Sequence, residues 1–144
     1  MKVSVAICTY QGEQFLAEQL DSIARQTRRP DEVVLLDDCS TDATVEIARS
    51  VAASFGLPCR IQSNERRLGV EENFSQAMLR TSGDVVFFCD QDDVWKPQKI
   101  ERMLAPFEAD PEVTLVYSDG EIVGPKLEPT GYTLFGKNPQ KHLE

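Results

Sequence analysis

Apolar runs rich in β-formers recur along the chain, at Val3 to Cys8, Glu32 to Leu36, Cys59 to Gln62, Asp84 to Cys89 and Val113 to Tyr117. Between them lie stretches with helical spacing. Leu16, Leu20 and Ile23 share one face of a first helix; Ile47, Ala48, Val51 and Phe55 form the buried stripe of a second. A third spans roughly Val70 to Leu79 with Phe74, Ala77 and Met78 inward. A fourth opens at Pro97, suited to a first helical turn, presents Ile100, Met103, Leu104 and Phe107 to the core, and is closed by Pro111. Strands alternating with helices predict an α/β fold, a mostly parallel sheet covered by helices on both faces. From Gly120 the periodicity fades and Gly, Pro and Lys accumulate, so this end is expected to be irregular. The closing Leu143-Glu144 looks like residues left by cloning.

At 144 residues the chain forms one ordinary domain with no room for a second full one. No apolar run approaches the roughly 18 residues of a membrane span, and Lys2 leads straight into a strand without a signal peptide, so a cytoplasmic location is expected. The net charge of -9 repels polyanions and argues against nucleic acid as partner. A small anion stays compatible if a divalent cation offsets the carboxylates locally. Cys8, Cys39, Cys59 and Cys89 lack metal-ligand spacing, His142 stands alone, and buried free thiols are the expected state.

In an open parallel sheet, ligands bind beyond the carboxyl ends of the strands. Three such ends carry polar clusters: Thr9-Tyr10-Gln11-Gly12-Glu13, Asp37-Asp38-Cys39-Ser40-Thr41-Asp42 and Asp90-Gln91-Asp92-Asp93. The last is costly unless a cation binds, because adjacent carboxylates repel. Magnesium or manganese takes oxygen ligands and joins one or two carboxylates to a diphosphate, which Asp90 and Asp92 can supply. An acidic turn whose Asp92 or Asp93 caps the next helix is the plainer alternative, opposed by its place between a buried strand and Trp95. Ser40 to Asp42 read as helix caps. One of the two successive aspartates, Asp37 or Asp38, can accept from a base or a ribose, and the Tyr10 ring can lie on a base, although Gln11-Gly12 fits a tight turn equally well.

The three segments in this order, Val3-Ser4-Val5-Ala6-Ile7-Cys8-Thr9-Tyr10-Gln11, Asp37-Asp38-Cys39-Ser40-Thr41-Asp42 and Asp90-Gln91-Asp92-Asp93-Val94-Trp95, resemble glycosyltransferase family 2 from about Lys2 to about Ser118. Asn64, Gly69 and Asn73 resemble the family's approach to its third helix. Cys39 stands where the family has glycine, and Gln11 where it has asparagine.

The resemblance implies an inverting enzyme of the GT-A fold. Residues 1–119 would form the nucleotide-sugar half and residues 120–144 the start of a truncated acceptor side. The donor would meet Thr9, Tyr10, Gln11, Glu13, Asp38, Asn64, Gly69, Asn73, Asp90 and Gln91, with Asp90 and Asp92 at a magnesium or manganese ion. The donor would be UDP- or dTDP-linked and the acceptor a glycan or lipid-linked hydroxyl. The family's catalytic base is expected beyond residue 144, with Asp119 placed too early and read as a turn or sheet-edge residue. The Asp-Gln-Asp-Asp-Val-Trp form is similar to rhamnosyl- and galactosyltransferase-like members that make surface polysaccharide. Peripheral membrane association of the parent protein and self-association of this chain are further expectations. A phosphorylatable receiver domain and a nucleotidyltransferase are the rival readings; a dehydrogenase is disfavoured because the first turn lacks G-x-G-x-x-G.

Overall fold

A computed structural model describes residues 1–136. His142, Leu143 and Glu144 lie outside the described residues. The chain divides into two compact units, Met1–Arg102 and Met103–Glu144. That division by compactness falls within a helix, whereas the 119/120 boundary is drawn on motifs.

The first unit follows the alternation read from the sequence. Its elements are β1 (Val3–Thr9), α1 (Leu16–Ala24), β2 (Glu32–Asp37), α2 (Thr44–Phe55), β3 (Cys59–Ser63), α3 (Val70–Leu79) and β4 (Val85–Cys89), followed by the start of α4 (Lys99–Ala109). The four strands form a parallel sheet in the order β3-β2-β1-β4. Right-handed crossovers explain where the helices go. The chain steps β1 to β2 to β3 in one direction, which puts α1 and α2 on one face, packed against each other. It then returns across the sheet to β4, which puts α3 on the opposite face, against β1 and β2. The reversal opens a crevice beyond the ends of β1 and β4, the place where such sheets take ligands.

The α1 stripe packs as its spacing predicts, with Leu16, Leu20 and Ile23 fully buried. Each contributes about 1.5–3 kcal/mol of transfer free energy. On the other face Ala6, Leu36 and Ala77 form a small cluster edged by Cys8 and Val86. Small side chains there let α3 come close to the sheet.

Four expectations need correction. In α3 Met78 is exposed, and Asn73 joins Ala77 in facing the sheet because its amide reaches the Leu36 carbonyl at 3.0 Å. The fourth helix begins at Lys99 rather than Pro97: Gln26 and Thr27 take the Lys96 and Pro97 carbonyls at 2.8 and 2.9 Å and hold that segment as a turn. Val113 to Tyr117 is not a strand. Among the described residues no neighbouring strand pairs with it, and Leu115 and Tyr117 stand exposed, so nothing stabilises an extended ladder there. Finally, the tail is not wholly irregular. In the second unit β5 (Glu121–Val123) and β6 (Pro129–Thr133) pair antiparallel, closed by a turn in which Gly124 N–H donates to the Glu128 carbonyl at 2.9 Å.

All four cysteines are free. Burial pushes the Cys8 and Cys59 thiols up to about 12 and Cys89 higher still, which leaves them inert.

Candidate active site

The parallel register sets Thr9 opposite Asp37 at the ends of β1 and β2. Thr9 Oγ1 donates to Asp37 Oδ1 at 2.8 Å, and Ser40 closes on the same carboxylate through its N–H at 2.9 Å and its Oγ at 2.5 Å. Asp37 is thereby consumed in shaping the turn after β2. Thr9 and Asp37 are almost fully buried, and Thr9 is a wall of the site rather than a free donor.

Asp38 turns the other way. Its carboxylate accepts Asn64 Nδ2 at 2.9 Å, Leu68 N–H at 2.7 Å and Gly69 N–H at 2.8 Å. Burial works to raise its pKa, but these donors and the Arg67 charge outweigh that and hold it below the ordinary carboxylate value. Asn64 Nδ2 is shared with Asn73 Oδ1 at 2.9 Å, and Asn73 is anchored to Leu36. The residues named separately as Asp38, Asn64, Gly69 and Asn73 are therefore one network that fixes the β3–α3 loop beside β2. Three of about four acceptor positions on the Asp38 carboxylate are used, leaving one.

Gln11 and Glu13 are tied to the second loop. Gln11, at φ 50°, receives Thr41 N–H on its Oε1 at 2.8 Å, and its main-chain N–H donates to Ser40 Oγ at 2.9 Å. Glu13 accepts Ala43 N–H at 3.0 Å, and Glu13 N–H donates to Asp42 at 3.1 Å. The unsatisfied donors at the start of α2 are thus shared by Gln11, Glu13 and Asp42, so the expected capping by Ser40 to Asp42 is only part of the arrangement.

Tyr10 is 38% exposed, and the Arg67 guanidinium lies 3.8 Å from its ring centroid. Arg67 was not among the residues singled out from the sequence. Its stacking on the half-exposed Tyr10 ring is its tertiary signature. Gln91 reaches back to the Tyr10 main chain: Tyr10 N–H donates to Gln91 Oε1 at 2.9 Å, and Gln91 Nε2 donates to the Tyr10 carbonyl at 3.1 Å.

Asp90, Asp92 and Asp93 are exposed on the turn after β4. Partial burial of its carboxyl group on this otherwise exposed turn, then repulsion from Asp93 and Asp92, raises the Asp90 pKa, so a cation would relieve this turn. The turn is held from behind by α1 and the segment just after it, through residues the sequence reading missed. Ser22 Oγ accepts Trp95 N–H at 3.0 Å, Gln26 Oε1 accepts Ile100 N–H at 3.1 Å, and Trp95 is buried against Phe87. Their signal was legible in principle: Gln19, Ser22 and Gln26 recur at i, i+3 and i+7 beside the apolar stripe of α1, and all three are buried. Among the described residues no three His, Cys, Asp or Glu side chains form a ready-made metal cage. An oxygen-only donor set of one or two carboxylates suits magnesium or manganese, which take the rest of their shell from water and phosphate.

Two surface grooves, about 670 Å³ along the start of α3 and about 470 Å³ beside β3, touch the Asp38 network through Gly69 and Asn64 respectively but include neither Tyr10 nor Asp90. In the second unit Asp119 accepts Gly120 N–H at 2.8 Å and Phe135 N–H at 3.2 Å, a turn role.

With the acidic turn, the Tyr10 shelf and the Asp38 network gathered at one sheet edge, comparison with known proteins decides the class. Residues 4–140 match the model of glycosyl transferase family 2. The chain belongs to that family. Relatives include the uncharacterized glycosyltransferase alr2836 of Nostoc sp., 31% identical over 81% of this chain and 36% of its own length. YwdF of Bacillus subtilis, another uncharacterized glycosyltransferase, is 34% identical over 85% of this chain and 43% of its own. The chain thus spans well under half the length of these relatives, 36% and 43%. Among solved structures, S. aureus TarS residues 1–349 in complex with UDP is similar with a TM-score of 0.69 and 31% identity, over 76% of this chain and 32% of that one. Mannosyltransferase PcManGT from Pyrobaculum calidifontis, in complex with GDP-Man and Mn2+, has a TM-score of 0.69 and 28% identity, over 78% and 33%. Glucosyl-3-phosphoglycerate synthase from Mycobacterium tuberculosis, with Mn2+, UDP and glucosyl-3-phosphoglycerate, has 0.58 and 28%, over 74% and 39%.

This family-2 chain has the GT-A glycosyltransferase fold. The receiver reading fails on topology as well. That fold orders its strands 2-1-3-4-5 and sets its acids on adjacent strands, whereas here β1 separates the Asp37-Asp38 strand from the Asp90 strand. Among the described residues no helix is long and apolar enough to cross a membrane.

Proposed function

We propose that the first unit is the donor site of an inverting glycosyltransferase that takes a nucleotide-diphosphate sugar, UDP- or dTDP-linked, and passes the sugar to an acceptor hydroxyl. The observation that carries this reading is the convergence of the Tyr10 ring, the Asp38 network and the Asp90 to Asp93 turn at the ends of β2, β1 and β4. Tyr10 offers a stacking surface to the base. The remaining acceptor position of Asp38 suits the N3–H of a uracil or thymine. Asp90 and Asp92 would hold magnesium or manganese, and that ion, when bound, neutralises the charge growing on the departing diphosphate. Ser22 and Gln26 keep the acidic turn in place.

Inverting transfer also needs a base for the acceptor hydroxyl and a wall for the acceptor. Asp119 is committed to its turn, so both are assigned to the portion of such proteins that this chain does not span. Loss of proton transfer and of positioning costs roughly a hundredfold or more each, so this chain binds donor and transfers at or near background. A role in surface polysaccharide synthesis, with a rhamnosyl- or galactosyl-type donor, is the finer reading and rests on the Asp90 to Trp95 motif.

Calorimetry with UDP and Mn2+ tests the proposal. Binding is expected that chelation abolishes, weakened far more by Asp92→Ala than by Asp42→Ala. Equal small effects of the two substitutions would return the acidic turn to a merely structural role.

A further inference from the structure

The β1–β4 ladder has its last paired residues at Ile7 and Cys89, after which the two chains separate around the crevice. Gln91 spans the gap. Its carboxamide meets the Tyr10 main chain with an acceptor 2.9 Å from N–H and a donor 3.1 Å from C=O, the pairing a peptide group would make. A side chain thus supplies one further rung where the backbones can no longer supply one. The neighbouring sequence makes room for it: a Cβ added at Gly12 would overlap the Gln91 carboxamide, its Cδ lying 2.8 Å away. Gly12 has no positive φ that would otherwise require glycine. Its value at this position is space for the Gln91 amide.

We infer that Gln91 is a positioning residue, not a donor ligand, and that with Gly12 it clamps the acidic turn to the Tyr10 main chain so that base shelf and carboxylates move as one. The inference rests on the donor-site reading for its consequence and on geometry for the clamp itself. The carboxamide oxygen and one of the N–H groups are engaged by Tyr10, which fixes the amide plane against that main chain. Without the clamp, each half of the site still meets its own part of the ligand, but the relative placement that lets one molecule span both is lost.

Two measurements on the 144-residue chain decide it. By NMR, hydrogen exchange at the Tyr10 amide should accelerate about tenfold or more in Gln91→Ala and equally in Gly12→Ala, with far smaller changes at Ile7. By calorimetry, UDP with Mn2+ should bind roughly tenfold more weakly to both variants, while uridine alone binds each as it binds the unaltered chain. The double variant should be no worse than either single one, since both remove the same contact. Gln91→Glu keeps the acceptor but loses the donor, so its exchange should fall between the two states. An unchanged Tyr10 amide in Gln91→Ala would overturn the clamp. So would a Gly12→Ala chain with normal UDP affinity beside a weakened Gln91→Ala, which would make the amide a direct ligand. If the unaltered chain bound no UDP while Tyr10 exchange rose in both variants, the clamp would stand and the donor-site reading would fall.

Discussion

The Asp38 carboxylate accepts the main-chain N–H of Gly69 at 2.8 Å, and Gly69 holds φ 84° and ψ 169° as it enters α3. An acid at the end of one strand thereby sets the path of the loop after the next. The same carboxylate also holds Leu68 N–H and Asn64, so the motif residue does structural service before any ligand arrives.

Gly69→Ala is expected to cost about 1–3 kcal/mol in urea unfolding, all of it from backbone conformation, because an added Cβ at Gly69 meets nothing within 4 Å. Asp38→Ala should cost about 2 kcal/mol by leaving its donors unpaired. The two losses should be less than additive, since they disturb the same loop. Full additivity would show that the Asp38–Gly69 contact contributes nothing.

Cys39 occupies a left-handed conformation at φ 65° and gives its thiol to the Asn64 carbonyl at 3.2 Å. A non-glycine residue there is strained by about 1–2 kcal/mol, against which the weak thiol contact and the greater unfolded-state freedom of glycine count. Cys39→Gly should therefore raise stability by up to about 1 kcal/mol, read as a higher denaturant midpoint. A clear loss would mean that the thiol contact outweighs the strain.

Glu32, at the opposite end of the sheet from the acidic turn, has a pKa lowered from its ordinary 4.5 to about 2. Burial opposes the shift, but hydrogen bonds from Ser4 Oγ at 2.6 Å and from the Ser82 N–H and Oγ, with the nearby Lys2 charge, override it. A depressed carboxylate stabilises the fold above its unfolded pKa, and the contribution fades as pH falls from about 4.5 through about 2. Glu32→Gln should therefore be less stable at pH 7 and show a shallower loss between pH 5 and pH 2, measured by thermal unfolding across about that range. Parallel acid limbs in the two chains would refute this assignment.

In the second unit Leu134 and Phe135 are 67% and 68% exposed, and the Phe135 ring meets exposed Tyr117 edge-on at 5.9 Å. Exposed aromatic and aliphatic side chains on one small hairpin favour self-association. Sedimentation should show concentration-dependent assembly that Leu134→Lys with Phe135→Ser reduces. A strictly monomeric chain at about 0.1 mM, an affinity of less than roughly 5–6 kcal/mol, would remove the expectation.

Much of this was legible without coordinates. The four parallel strands, the α1 stripe and the three polar strand ends follow from local alternation and helical spacing, which depend only on near neighbours in the chain. The run at Val113 to Tyr117 was misread for the complementary reason: apolar alternation states a preference for extended chain, but a strand exists only where another strand satisfies its N–H and C=O groups. Chemistry-bearing residues were likewise found by type and by place, while their partners were not. Nothing local distinguishes Asp37, consumed by Thr9 and Ser40, from Asp38, which braces the β3–α3 loop. Nor could spacing show that the Gln91 amide pairs with Tyr10, 81 residues earlier, or that Arg67 lies on the Tyr10 ring. The sequence by itself determined the element types, the buried stripes and which strand ends are polar, because those depend on residue chemistry and period. Only the tertiary structure decided which carboxylate is spent, which amide is a clamp and which helix braces the acidic turn, because hydrogen bonds between distant segments depend on the strand order and register that bring them together.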